Sequence, residues 1–180
     1  YCDFYSTPKR DLMEAYTDTV GKEWSIIGGD AVPDTLYLGG GTPSSLPLPL
    51  LDRLIASVPA PHPLREFTIE ANPEDVTRAW TEHIAAKTAI GRVSMGIQTF
   101  DDILLSFLGR RHTGAQAADA VSMLRKAGIG DLSCDLIYGL PGQTLDAWKR
   151  DLDRLIDMRP EHLSAYLLSF EPKTRLGVML

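Results

Sequence analysis

Five short apolar runs recur along the chain at intervals of roughly 30–40 residues, the length of one strand–helix crossover. They are Thr35–Leu38, Glu66–Glu70, Arg92–Ile97, Leu132–Tyr138 and His162–Leu168, each bounded by Gly, Pro, Asn or Asp. Helix-period segments lie between them. Strands in strict alternation with helices predict an α/β fold built on a parallel sheet. The near-continuous apolar character of the runs predicts a sheet covered on both faces. Periodicity leaves two architectures open, a doubly wound sheet and a β/α barrel. In both, functional loops follow the carboxyl ends of strands.

The helical segments are Asp11–Ile27, Leu48–Val58, Thr77–Lys87, Asp101–Leu108, Gly114–Ala127 and Thr144–Met158. In the first, Leu12, Ala15, Tyr16, Thr19, Val20 and Trp24 form the expected buried stripe. In the last, Leu145, Trp148, Leu152, Leu155 and Ile156 do so. Thr113 with Gln116 reads as a capping box, Gly128 as the glycine that ends the same helix, and Thr144 as an N-cap. No linker, low-complexity segment or internal repeat breaks the pattern. A single domain over residues 1–180 is expected, truncated at both ends: the first residue is Tyr1 rather than methionine, and Glu171-Pro172-Lys173-Thr174 leaves a strand without a closing element.

A net charge of −6 argues against a nucleic-acid surface, because phosphate binding needs clustered Lys and Arg. No apolar stretch approaches membrane-spanning length. Cys2 and Cys134 are the only cysteines, too few for a disulfide framework or a four-ligand metal site within the chain. Free thiols suit a reducing cytoplasm. His62, His83, His112 and His162 are dispersed and lack zinc spacing.

Gly39-Gly40-Gly41-Thr42-Pro43 directly follows the first strand. Absent side chains let a ligand approach the backbone, and the same residues equally suit a flexible tight turn. The spacing fits neither a dinucleotide fingerprint nor a P-loop. Glu70 and Gln98 stand at the ends of apolar strands, where polar side chains serve a ligand or cap a strand. Asp135 lies within an apolar strand and needs a cation or hydroxyl partner, for which Arg110 is a candidate. Arg110-Arg111-His112 by itself reads as a solvated basic turn. Gly139-Leu140-Pro141-Gly142 reads as the turn before the Thr144 helix.

Taken in order, these pieces resemble the radical S-adenosylmethionine (SAM) superfamily, and within it the oxygen-independent coproporphyrinogen oxidase-like group. That group carries a C-x-x-x-C-x-x-C cluster loop, and Tyr1-Cys2-Asp3-Phe4-Tyr5-Ser6 is similar to its end. The likeness continues through Leu38–Ser44, Glu70-Ala71-Asn72-Pro73, Arg92–Phe100, Leu108–His112 and Asp135–Thr144, and so spans essentially the whole chain.

The resemblance implies a partial (β/α)6 barrel, with its first strand and a C-terminal domain missing here. It implies a [4Fe–4S] cluster on three thiolates, Cys2 being the third, with SAM at the open iron. Gly40, Gly41 and Thr42 would contact SAM through backbone and hydroxyl, and Glu70 would accept hydrogen bonds from it. Gln98, Arg110 and Asp135 align with a second SAM or adjacent pocket. Tyr1 and Ser169 align with positions that contribute mainly backbone. Asp3-Phe4 replaces the Gly and extra Cys of the oxidase proper, and this favours the heme-chaperone branch. The alternative is an oxidase that decarboxylates propionate side chains through a 5′-deoxyadenosyl radical. Expected partners are heme or a porphyrinogen, a heme acceptor protein and an electron donor, with membrane contact only through an acceptor.

Overall fold

The computed structural model describes residues 7, 9–28, 30–59, 63–172 and 174–178. Five strands, β1 (Thr35–Leu38), β2 (Glu66–Ala71), β3 (Arg92–Gln98), β4 (Asp131–Tyr138) and β5 (His162–Leu167), form one parallel sheet in the order β1-β2-β3-β4-β5. Every strand lies beside its sequence neighbours. A doubly wound sheet reverses direction at a switch point, whereas a barrel wall does not. The order therefore resolves the ambiguity in favour of a barrel wall, here an open one.

The helices are α1 (Met13–Ile27), α2 (Leu48–Ala56), α3 (Arg78–Lys87), α4 (Asp102–Phe107), α5 (Gly114–Lys126), α6 (Leu145–Asp157) and α7 (Arg175–Val178). Side-chain oxygens cap four of them. Thr77 accepts from Trp80 N, Asp101 from Ile103 N and Leu104 N, and Thr144 from Ala147 N, while Thr113 and Gln116 complete a capping box. Each such cap contributes about 1 kcal/mol. Gly128, at φ 90°, closes α5.

Strand alternation divides the sheet into two unlike faces. One carries Ile69, Val93, Met95, Ile97, Leu132, Cys134 and Leu136, all fully buried in a core shared with Leu51, Ile84, Leu124 and Leu155 from α2, α3, α5 and α6. Register places polar rows on the other face. Tyr37, Thr68, Arg92 and Asp131 are neighbours in one row. Glu70, Ser94, Ser133 and His162 make the next, and Gly96, Asp135 and Ser164 a third. The strands expected to form a sheet covered on both faces thus carry a polar second face. Serines and threonines are compatible with strands, so runs such as Leu132-Ser133-Cys134 read as continuous although every second residue is polar.

Two helical stripes are also corrected. Along α1 the buried residue is Thr17, with Val20, Gly21 and Trp24 half-buried, while Tyr16 is exposed. On α6, Leu145 and Ile156 are exposed and Asp151 is buried beside Leu155. Asp151 accepts from Thr99 Oγ1 at 2.6 Å and from Phe100 N at 2.9 Å. The fold needs an acceptor for the turn after β3, and α6 supplies it. No helix among the described residues is long and apolar enough to cross a membrane.

Candidate functional site

The loop after β1 opens the site. Gly40 sits at φ 93°, a conformation that favours glycine. A methyl group on Gly39 would lie 2.5 Å from Tyr37 Cε1 and 2.9 Å from Glu70 Oε1. Side chains on Gly40 or Gly41 would meet nothing within 4 Å, so the backbone there faces open space. The triple glycine thus serves two purposes: close approach to Glu70 on one side, open space beside the backbone on the other.

Glu70, at the carboxyl end of β2, is tied to this loop. It accepts from Tyr37 Oη at 2.8 Å and from Gly40 N at 3.2 Å. Burial, then the Glu70 hydrogen bond, push the Tyr37 phenol up to about 12, so it stays a donor at neutral pH. Two residues on, Asn72 donates from Nδ2 to Thr42 Oγ1 at 3.4 Å, and its backbone N donates to Ser44 Oγ at 3.2 Å. Ser44 in turn donates to Asp75 Oδ2 at 2.8 Å. Burial raises the Asp75 carboxyl and this hydroxyl partly offsets the rise.

The end of β3 supplies the next wall. The register with β4 slips between Gly96 and Gln98, and Gln98 adopts φ 70°, a left-handed conformation rare outside glycine. Such a bulge re-aims a side chain at a strand end. Arg110, from the segment between α4 and α5, donates from Nη2 to the Gly96 carbonyl at 2.7 Å. A methyl group on Gly96 would lie 2.5 Å from that Nη2, 2.6 Å from Gln98 Nε2 and 3.7 Å from Asn72 Oδ1. Three polar side chains from three loops therefore meet over a glycine. Arg110 Nε is buried and has no hydrogen-bond partner among the described residues.

Asp135 is the register partner of Gly96 on β4. Burial raises its carboxyl, Ser164 hydrogen bonding lowers it, and the charge of Glu70 raises it again, for a net upward shift. Its register neighbour on β5 is Ser164. The expected pairing with Arg110 does not form among the described residues; Arg110 Nη2 goes to the Gly96 carbonyl instead. Ser169 lies exposed beyond β5, with no hydrogen bond to another described residue. Tyr1 and Cys2 lie outside the described residues. Among the described residues, no group of three or more His, Cys, Asp or Glu side chains could hold a metal ion.

The structure thus gathers Gly40, Thr42, Glu70, Gln98 and Arg110 at the carboxyl edge of the sheet, with Asp135 adjoining and Ser169 apart. Sequence reasoning passed over Tyr37, Asn72 and Ser164. Tyr37 looked like a strand residue, although its alternate position marks it for the polar face. The solvated-turn reading of Arg110-Arg111-His112 is corrected as well: His112 is 3% exposed and Arg110 half-buried, and Arg111 alone of the three is exposed.

A half-buried carboxylate, an unsatisfied guanidinium nitrogen, an amide side chain and a hydroxyl beside unobstructed glycine backbone form a mixed donor and acceptor set. That set fits a ligand with both ammonium and carboxylate ends, such as the methionine moiety of SAM. Comparison with known proteins agrees. The family model of the radical SAM superfamily matches residues 1–155. The chain is similar to the heme chaperone HemW of Lactococcus lactis, at 36% identity over 97% of this chain and 46% of that protein. It is similar to HemW of Escherichia coli at 34% identity, over 98% of this chain and 49% of that protein. It therefore spans about half the length of the curated relatives it matches. An oxygen-independent coproporphyrinogen-III oxidase-like protein, HemZ of Bacillus subtilis, is 31% identical over 83% of this chain and 30% of that protein. Among solved structures, the coproporphyrinogen III oxidase HemN from Escherichia coli superposes with a TM-score of 0.85 at 24% identity, covering 96% of this chain and 41% of HemN, and so shares the fold. On the matched family model, and with its parallel barrel wall and carboxyl-edge site, this chain belongs to the radical SAM superfamily, whose members carry a [4Fe–4S] cluster and SAM.

Proposed function

We propose that residues 1–180 form the SAM-binding core of a heme-chaperone-like radical SAM protein. The observation that carries this reading is identity of 34–36% to curated heme chaperones along almost the entire chain. Asp3-Phe4 after the cluster cysteine supports the same branch.

In this reading Cys2 is one of three thiolates on the cluster. Gly40 and Gly41 offer backbone that a ligand can approach, Thr42 a hydroxyl, and Glu70 a carboxylate for the SAM ammonium group. Gln98, Arg110 and Asp135 line the adjoining pocket, where the free Arg110 Nε suits a carboxylate. By the family resemblance, Tyr1 and Ser169 would contribute mainly backbone contacts. The cluster, when bound, supplies the electron for reductive SAM cleavage. The chain's own residues orient SAM and hold its charged ends. Heme or a porphyrinogen is the cargo, a separate acceptor protein receives it, and an electron donor serves the cluster. A cytoplasmic setting suits an oxygen-sensitive cluster.

Similarity to HemZ supports a second reading, an oxygen-independent coproporphyrinogen oxidase. The full-length protein, reconstituted anaerobically with iron and sulfide, separates the two. Stoichiometric heme binding by absorbance titration, without carbon dioxide release from coproporphyrinogen, is expected of the chaperone. SAM-dependent decarboxylation of coproporphyrinogen would overturn that reading in favour of the oxidase.

A further inference from the structure

His112 has no part in the reading above, yet its ring is fully buried. Its Nε2 lies 3.1 Å from the Ile97 carbonyl and its Nδ1 3.2 Å from Glu74 Oε2. A carbonyl oxygen only accepts, so Nε2 carries a proton. Burial raises the Glu74 carboxyl, but the His112 hydrogen bond, its own backbone and the charges of His112 and Arg111 outweigh this and bring it to about 2. Glu74 is therefore a carboxylate at neutral pH, and it faces Nδ1 of the ring. The ring is held between the Glu74 carboxylate and the Ile97 carbonyl. The charged groups around the pair are Arg111, whose Nε lies 3.1 Å from Glu74 Oε1, and Asp75 beside it.

Burying a polar ring carries a desolvation cost, and the geometry here gives it a specific use. Glu74 belongs to the Pro73–Asp75 turn, directly after Glu70 and Asn72. The Ile97 carbonyl precedes Gln98 at its left-handed φ, and it also accepts from Thr99 N at 2.9 Å. His112 itself follows Arg110 and precedes the cap of α5. One ring thus joins the three loops that carry Glu70, Gln98 and Arg110.

We infer that His112, paired with Glu74, is a positioning residue that fixes the turn at Gln98 and so aligns Gln98 and Arg110 over Gly96. It touches neither side chain; it acts through the Ile97 carbonyl. Its effect on SAM rests on the SAM-binding reading above, whereas the clamp itself does not.

The test uses the full-length, cluster-loaded protein with 15N-labelled His, Gln and Arg, and SAM as the titrant. In the wild type, the His112 Nε2 resonance should show a proton held at the Ile97 carbonyl. His112→Leu should shift the Gln98 side-chain amide and Arg110 Nε signals and weaken SAM binding about tenfold or more, the scale of a misplaced site. His112→Gln, which restores a donor towards Ile97, should recover most of both. Should His112→Leu fail to fold, Glu74→Gln is the second variant, with the same direction expected. Unmoved Gln98 and Arg110 signals, with only a lower Tm, would overturn the clamp. A wild type that shows the NMR signatures but binds no SAM would overturn the SAM reading and leave the clamp standing.

Discussion

Tyr37 Oη donates to Glu70 Oε1 at 2.8 Å, from β1 to its neighbour β2, while Gly40 N holds the other carboxylate oxygen. The carboxylate proposed to receive the SAM ammonium group is thereby oriented by the strand and loop that precede it. Tyr37→Phe removes the orienting donor without removing the ring. SAM affinity is expected to fall about ten- to a hundredfold, the value of one hydrogen bond to a charged group at about 1.5–3 kcal/mol. Isothermal titration with SAM measures it.

The same phenol makes a pH prediction. Its value near 12 lies above the ordinary 10. A raised value means that the contribution to stability is complete below pH 10 and is lost as pH rises towards 12. Ultraviolet titration should show one tyrosine ionising late, and Tyr37→Phe should remove that step.

Gly96→Ala places a methyl group against the ends of Arg110 and Gln98. Both are flexible side-chain tips, so stability should change by only about 1 kcal/mol or less. Ligand binding should suffer far more, by about tenfold, since the two groups are displaced from their meeting point. Gly91→Ala, where a methyl meets nothing within 4 Å, is the control. Equal SAM affinities for the two variants would refute the placement.

Glu74 sets an acid limit. Its depressed value of about 2 means that its contribution is present above about pH 4.5 and lost as pH falls towards 2. Asp75, Asp135 and Asp151 are raised and act in the opposite sense. The difference between wild type and Glu74→Gln therefore isolates the Glu74 component. Denaturant unfolding at pH 3 and pH 6 should show a gap that narrows on acidification.

Asp151→Ala leaves the buried Thr99 hydroxyl and Phe100 N–H without their acceptor. The expected loss is about 1–3 kcal/mol, read from chemical denaturation, because buried donors lose water without replacement. Thr113→Ala, a surface cap, should lose about 1 kcal/mol.

The strands and helices were legible because their signals are local. Thr35–Leu38 is bounded by turn residues on both sides, and Thr113, Gln116 and Gly128 mark the two ends of α5 within a single stretch of chain. The glycine loop and Glu70 were legible for the same reason, as breaks at the ends of apolar runs. His112, Asp151 and Tyr37 were not, because each meets a partner more than 30 residues away or on another strand. His112 in a basic run has the local signature of a solvated turn, and only the arrival of Glu74 and the Ile97 carbonyl makes it a buried, hydrogen-bonded ring.

From sequence alone came the α/β alternation, the helix caps and the family likeness, since periodicity, capping chemistry and motif order are written along the chain. The choice of a barrel wall over a doubly wound sheet, the polar face of the sheet, the register neighbours of Asp135, and the partners of Arg110 and His112 were decided by tertiary structure. Strand order and register determine which side chains become neighbours, and hydrogen bonds and charge interactions act over a few ångströms of space, whatever the separation along the backbone.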